Sequence, residues 1–238
     1  MSKALLLLGS PRNTSVSRML GETLLAGLAK RGWESQTLQL TGLLEAQEGR
    51  ARLAGEFLGA DLVILASPVY VDAPPAPVVH ALEFLAGNPA SPARDGAGPL
   101  PEARDASPGA RPRHFAAVFT CGFPEASHTD ICLDACRLFA RDAELAWAGG
   151  LGVGGAGALD PRGLGRRSGM TANLRSALEL AAASLAVGGD IPAEARRLAA
   201  KPFVPRWLYI PMAEIGWLAQ AFKRGALFKL DGTPFRKS

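Results

Sequence analysis

The apolar run Leu5-Leu6-Leu7-Leu8 stops at Gly9 and breaks into Ser10, Pro11, Arg12, Asn13, Thr14, Ser15, Val16 and Ser17. Four hydroxyls, an amide and a guanidinium thus fall within eight positions. A single helix N-cap would account for one of those hydroxyls, not for four and an arginine. The chain then takes up helical spacing from Val16 onward. Backbone N–H groups at a helix start have no intrahelical acceptor, and the helix dipole adds partial positive charge there. Donors of this kind suit a phosphate dianion, with Arg12 supplying a fixed fork of N–H groups. Two other phosphate loops are excluded. No lysine lies between Lys3 and Lys30, so there is no Gly-Lys-Ser/Thr, and Gly9 is the only glycine before Gly21, so the dinucleotide fingerprint is missing.

Other chemistry-bearing types are sparser. Gly152-Val153-Gly154-Gly155-Ala156-Gly157 matches the dinucleotide fingerprint by letter, but no convincing strand comes after its helix, so it reads as a glycine-rich loop after the last strand. Cys132 and Cys136 stand four apart on one helix without further ligands at metal spacing, and read as small buried hydrophobes. Cys121 has no adjoining His, Lys or Arg to lower its pKa, so it is not assigned as a nucleophile. His80, His114 and His128 form no triad or metal set in the sequence.

The elements that position these groups alternate. Residues 3–8 predict a buried strand, 16–31 a helix through Val16, Leu20, Leu24 and Leu28, and Gly32 a C-terminal cap. Further strands are predicted at 33–40, 61–66, 115–120 and 145–153, with helices near 48–59, 76–86, 129–141 and 171–187. Strands alternating with helices argue a parallel sheet covered on both faces. Residues 88–112, rich in Pro, Gly, Ala and charge, read as a surface excursion. No internal repeat is found.

Gly9-Ser10-Pro11-Arg12-Asn13-Thr14-Ser15 resembles the Gly-Ser-x-Arg-x-x-Ser loop of the NAD(P)H-dependent FMN reductases and related flavodoxin-like oxidoreductases. Ser67-Pro68-Val69-Tyr70, with prolines opening the next helix, resembles the same family's loop after strand three. The resemblance covers roughly residues 3–187. It implies a flavodoxin-like, doubly wound parallel sheet of five strands in the order 2-1-3-4-5, with FMN at its carboxyl edge. It implies that Ser10, Arg12, Ser15, Val16 and Ser17 hold the phosphate, with Asn13 and Thr14 as reserve donors. It further implies that Pro68, Val69, Tyr70 and Val71, together with Thr120, Cys121, Gly122 and Phe123, bound the isoalloxazine. NADH or NADPH would be the co-substrate, a small molecule such as a quinone or flavin the electron acceptor, and the assembly a homo-oligomer. No general base is required of the protein, so no catalytic residue is assigned. Two alternatives stay open: a flavodoxin-type electron carrier, and a flavodoxin-like binding or regulatory protein without cofactor.

Composition bounds the rest. In 238 residues with 48% hydrophobic and 7% aromatic content, the core must be mainly aliphatic. Three cysteines make no disulfide framework, which points to a reducing cytoplasm. The apolar run near the amino terminus is too short for a membrane span or a signal segment. The net charge of +4 does not by itself call for nucleic acid, but it is unevenly placed. Residues 191–238 carry nine Lys/Arg against Glu194, Glu214 and Asp231, leaving the tail at +6 and the preceding 190 residues at −2. The expected division is therefore a domain over 1–190 and a basic aromatic extension over 191–238. Phe203, Trp207, Tyr209, Ile215, Trp217, Leu218 and Phe222 should be buried on the domain's own layers or on a partner subunit, since each large apolar side chain forgoes about 1.5–3 kcal/mol if left in water.

Overall fold

The continuous aliphatic run Lys3–Leu8 forms β1, and its alternate side chains feed two separate cores. In the computed structural model, which describes residues 1–87, 112–164, 169–229 and 232, the chain continues as α1 (Val16–Ala29), β2 (Glu34–Gln39), α2 (Gln47–Gly59), β3 (Leu62–Pro68) and α3 (Ala76–Leu85). Next come β4 (His114–Thr120), α4 (Asp130–Asp142), β5 (Ala146–Val153), α5 (Ala172–Ala186) and α6 (Ala193–Ala199). The predicted surface excursion lies, except for Pro112, outside the described residues.

All strand pairs are parallel, and the order is β2-β1-β3-β4-β5 as expected. The chain steps from β1 outward to β2 and then back across β1 to β3. That reversal opens a crevice beyond the carboxyl ends of β1 and β3, where open α/β sheets bind their ligands. Leu6, Leu8, Ile64 and Val118 face a layer made by α1, α5 and α6. Leu5, Leu7, Leu65 and Phe119 face Leu53 and Phe57 of α2, Val78 of α3, and Cys132 and Cys136 of α4. The period of two thus sends the side chains of β1, β3 and β4 alternately to opposite apolar layers. Glycine is required where α1 packs closest: a Cβ on Gly21 would meet Leu6 Cδ1 and Ala66 Cβ at 2.8 Å.

The compact sheet unit runs from Met1 to Phe203, past the expected boundary at 190. Ile191, Ala195 and Ala199 are buried in the α1 layer, and the Ile191 N–H donates to the Ala148 carbonyl at 2.7 Å. The short α6 therefore belongs to the domain. Its charge hides this in the sequence, because Arg196 and Arg197 stand beside the alanines that pack.

Residues from Val204 to Ser238 form a second unit. Its main element is α7 (Arg206–Lys223), entered through Pro205. Trp207, Pro211, Ile215, Leu218 and Phe222 recur at spacings of three and four and so share one face. Trp207, Trp217 and Phe222 are 76%, 69% and 70% exposed. Phe203, the last residue of the sheet unit, packs against the domain core. Among the described residues, no helix is long and apolar enough to cross a membrane.

Candidate functional site

β1 delivers the polar loop to the crevice. The Gly9 N–H donates to the Ala66 carbonyl at 2.9 Å, and a Cβ on Gly9 would strike Val78 and Ser67, so the strand end is pinned against β3 and α3. Ser15 then caps α1 from extended backbone, its Oγ accepting from the Arg18 N–H at 3.2 Å. The N–H groups of Val16 and Ser17, first in the helix, have no acceptor within it. Ser15 Oγ lies 3.3 Å from Ser17 Oγ, and Ser10 Oγ accepts from the Arg12 N–H at 3.3 Å. Ser10 and Ser17 are buried, whereas Arg12 reaches out from an exposed position.

These residues line one side of a cavity of about 350 Å³. Its other walls are Pro68, Val69 and Tyr70 after β3 and Thr120, Cys121 and Gly122 after β4. A wall not expected from the sequence comes from Ala156, Gly157, Leu159 and Pro161, after β5. It is held to the β4 loop by Gly155 N–H to Phe123 carbonyl at 2.6 Å and Ala156 N–H to Cys121 carbonyl at 3.0 Å. The glycine-rich signal at 152–157 was legible, but its place beside β4 depends on strand order rather than on local sequence. Thr14, held as a reserve donor, also lines the cavity, while Asn13 does not.

Val71 and Phe123 are the two expected ring contacts that the structure does not bring to the cavity wall. Val71 and Asp72 both have positive φ (51° and 56°), closing a tight turn in which Tyr70 and Ala73 exchange N–H to carbonyl bonds at 2.9 and 3.1 Å. Such a turn carries its central side chains outward, and Val71 is 99% exposed. Phe123 instead stacks on His128, with ring centroids 4.5 Å apart. His128 Nδ1 lies 3.2 Å from Asp72 Oδ1, so this pair ties the β3 loop to the β4 loop. Nothing in the sequence near His128 signals either partner.

Cys121 lines the cavity with its thiol turned to the Phe123 and Glu125 carbonyls, at 3.5 and 3.3 Å. Burial is the main cause of a pKa above the ordinary thiol value, with Glu125 and Asp72 adding to it. Burial likewise pushes Cys132 up to about 11 and raises Cys136 further. Their reading as small core side chains holds. Among the described residues, no group of three or more His, Cys, Asp or Glu is placed to hold a metal ion.

The donor set fits FMN on the structure's own terms. Buried hydroxyls and helix N-terminal N–H groups at one end suit a phosphate dianion, and a mostly apolar slot at the other suits a planar ring. A five-stranded parallel sheet in this order, with such a loop after β1 and apolar loops after β3 and β4, defines a flavodoxin-like protein. Residues 2–95, which build both the polar loop and the Tyr70 loop, match the NADPH-dependent FMN reductase family, as the two motifs imply. The fold resembles that of an NADH:FMN oxidoreductase in its apo form, at 15% identity and TM-score 0.53 over 87% of this chain and 97% of that one. It also resembles an FMN-dependent NADH-azoreductase from Bacillus anthracis in complex with FMN, at 13% identity and TM-score 0.52 over 78% of this chain and all of the other. No curated protein sequence matches the chain.

Proposed function

We propose that this protein is an FMN-dependent oxidoreductase that takes hydride from NADH or NADPH and passes electrons to a small-molecule acceptor such as a quinone or a flavin. The observation that carries this reading is one cavity that joins the capped, hydroxyl-rich start of α1 to the loops after β3 and β4. Bound FMN supplies the redox chemistry; the chain binds, orients and shields. Ser10, Arg12, Ser15, Val16 and Ser17 hold the phosphate by hydroxyl, guanidinium and backbone donors. Pro68, Val69, Tyr70, Thr120, Cys121 and Gly122 bound the ring, and their backbone groups tune its electronics. Tyr70, 42% exposed, forms the rim that an incoming nicotinamide or acceptor meets. Val71 and Phe123 act beside the site, through the turn and the His128 stack. Because the donor supplies its hydride directly, orientation is the chain's main contribution and no general base is needed.

The protein works as a homo-oligomer in the cytoplasm. The exposed apolar stripe of α7 supports the first, since a second copy that covered it would recover burial free energy. Three free, buried cysteines are consistent with the second. The activity is tested by steady-state oxidation of NADH and NADPH by FMN-loaded protein, with a quinone as acceptor. Turnover that requires FMN supports the reading; loaded protein that oxidises neither nucleotide above the free-FMN rate contradicts it. Sizing at low and high salt tests the assembly, since one built on buried apolar contacts should survive salt.

A further inference from the structure

Gln39 ends β2, one strand away from the polar loop, and it does not line the cavity. Its side chain is nonetheless bonded to that loop. Gln39 Nε2 donates to the Ser10 carbonyl at 2.5 Å and to the Leu8 carbonyl at 3.3 Å, with Thr41 Oγ1 also at 3.3 Å. Gln39 Oε1 accepts from Arg18 Nη2 at 2.8 Å, and Arg18 Nη1 is paired with Glu22 Oε1 at 3.2 Å. A guanidinium only donates, so it fixes which end of the amide faces it. The NH₂ end must then face the two carbonyls, which only accept. The orientation is over-determined from both sides.

The Ser10 carbonyl matters because of what surrounds it. Pro11 comes next and has no N–H, so the loop cannot be anchored through that peptide's donor. Ser10 itself is a buried cavity residue, and its Oγ accepts the Arg12 N–H. A carbonyl free to swing into the cavity would present lone pairs to an anion. The bond to Gln39 turns it instead toward a residue outside the cavity wall.

We infer that Gln39 is a positioning residue for the phosphate end of the site, with Arg18 fixing its amide. It holds the Ser10 carbonyl back, so that the anion meets only hydroxyl and N–H groups. The inference rests on the FMN reading, and it predicts an effect confined to the phosphate.

The test is titration of flavin-free full-length protein with FMN and, separately, with riboflavin, which lacks the phosphate. The original protein should bind FMN more tightly than riboflavin. Gln39→Met should weaken FMN by about tenfold, the scale of one charge-linked hydrogen bond, and leave riboflavin unchanged. Gln39→Glu keeps the pairing with Arg18 but offers lone pairs to the Ser10 and Leu8 carbonyls, so it should lose at least as much. Arg18→Met frees the amide to turn and should give the same split in smaller measure, about threefold; it serves if the Gln39 variants do not fold. Equal losses for both flavins would mean a merely structural role and overturn the inference. So would unchanged FMN affinity in the variants of a protein that does prefer FMN. An original protein with no preference for FMN over riboflavin would instead overturn the phosphate reading itself, and the inference with it.

Discussion

The two ends of the cavity are built on opposite plans. At the phosphate end, donors come from a helix start and buried hydroxyls, and the loop is fixed by Ala66, Gln39 and the Ser15 cap. Every residue there sits in a conformation it tolerates. At the ring end the wall is apolar, Tyr70 is partly exposed, and a valine and an aspartate are held at positive φ. A β-branched residue in that region is strained, and Val71 recovers no burial in exchange. On the proposed function, binding strength would reside at the fixed end, while the end that must admit a second molecule is the strained and exposed one.

The largest expected effect separates the ends by affinity. Arg12→Ala and Ser10→Ala should each weaken FMN by about 1.5–3 kcal/mol, roughly 10- to 100-fold, with little change for riboflavin. Flavin fluorescence titration measures both, and unchanged FMN binding in both variants would move the phosphate elsewhere. Next in size is the strained turn. Val71→Asn places there a residue that accepts positive φ, and should stabilise the fold by about 1 kcal/mol, raising Tm by about 2–4 °C. FMN affinity should stay put, because the side chain is not part of the cavity wall. A lower Tm would show that the turn is not strained. Smaller again is the tie between the ring-end loops. His128→Ala removes the Phe123 stack and the contact with Asp72, a loss of about 1 kcal/mol or less at this exposed site, read by chemical denaturation.

The smallest effect at neutral pH concerns Cys121, in the cavity wall after β4. Burial raises its pKa, so at each pH less thiolate is present than in a free cysteine. Alkylation should therefore be slower than that of a free cysteine at each pH and should keep rising with pH after a free thiol has levelled off, and bound FMN should slow it further. Stability should change with pH in the same range. Cys132 and Cys136 also titrate higher folded than unfolded, so the unfolded chain sheds protons first as pH rises, and stability should fall above about pH 9. A stability profile that stays flat well into the alkaline range would contradict those shifts.

Much of the site was legible because its determinants are local. An apolar run ending in Gly9 and a Ser-Arg-Ser cluster mark the proposed phosphate end without any tertiary information, and Ser10, Arg12, Ser15 and Ser17 do line one cavity. Pro68 to Tyr70 and Thr120 to Gly122 were legible for the same reason, being the ends of strong strands. What was not legible depends on neighbours distant in sequence. The wall from Ala156 to Pro161 is held by bonds from Gly155 and Ala156 to the β4 loop, and Gln39 reaches Ser10 by a side-chain bond; the expected strand order allows both, but no local pattern names the partners. Val71 was expected at the ring, but a two-residue turn with no Gly or Asn gives no local signal of the positive φ that turns it outward. The compact sheet unit runs on to Phe203, and tail charge masked Ile191, Ala195 and Ala199, the apolar residues that pack in the 191–203 segment.

On the proposed function, the cavity binds FMN in a form that a reduced nicotinamide can reach. Anaerobic mixing of FMN-loaded protein with one equivalent of NADPH, and separately of NADH, tests it directly through the oxidised-flavin absorbance. Bleaching is expected with at least one of the two nucleotides, faster than for free FMN under the same conditions, with return of the absorbance when a quinone is added. Flavin that stays bound and oxidised with both nucleotides would contradict it.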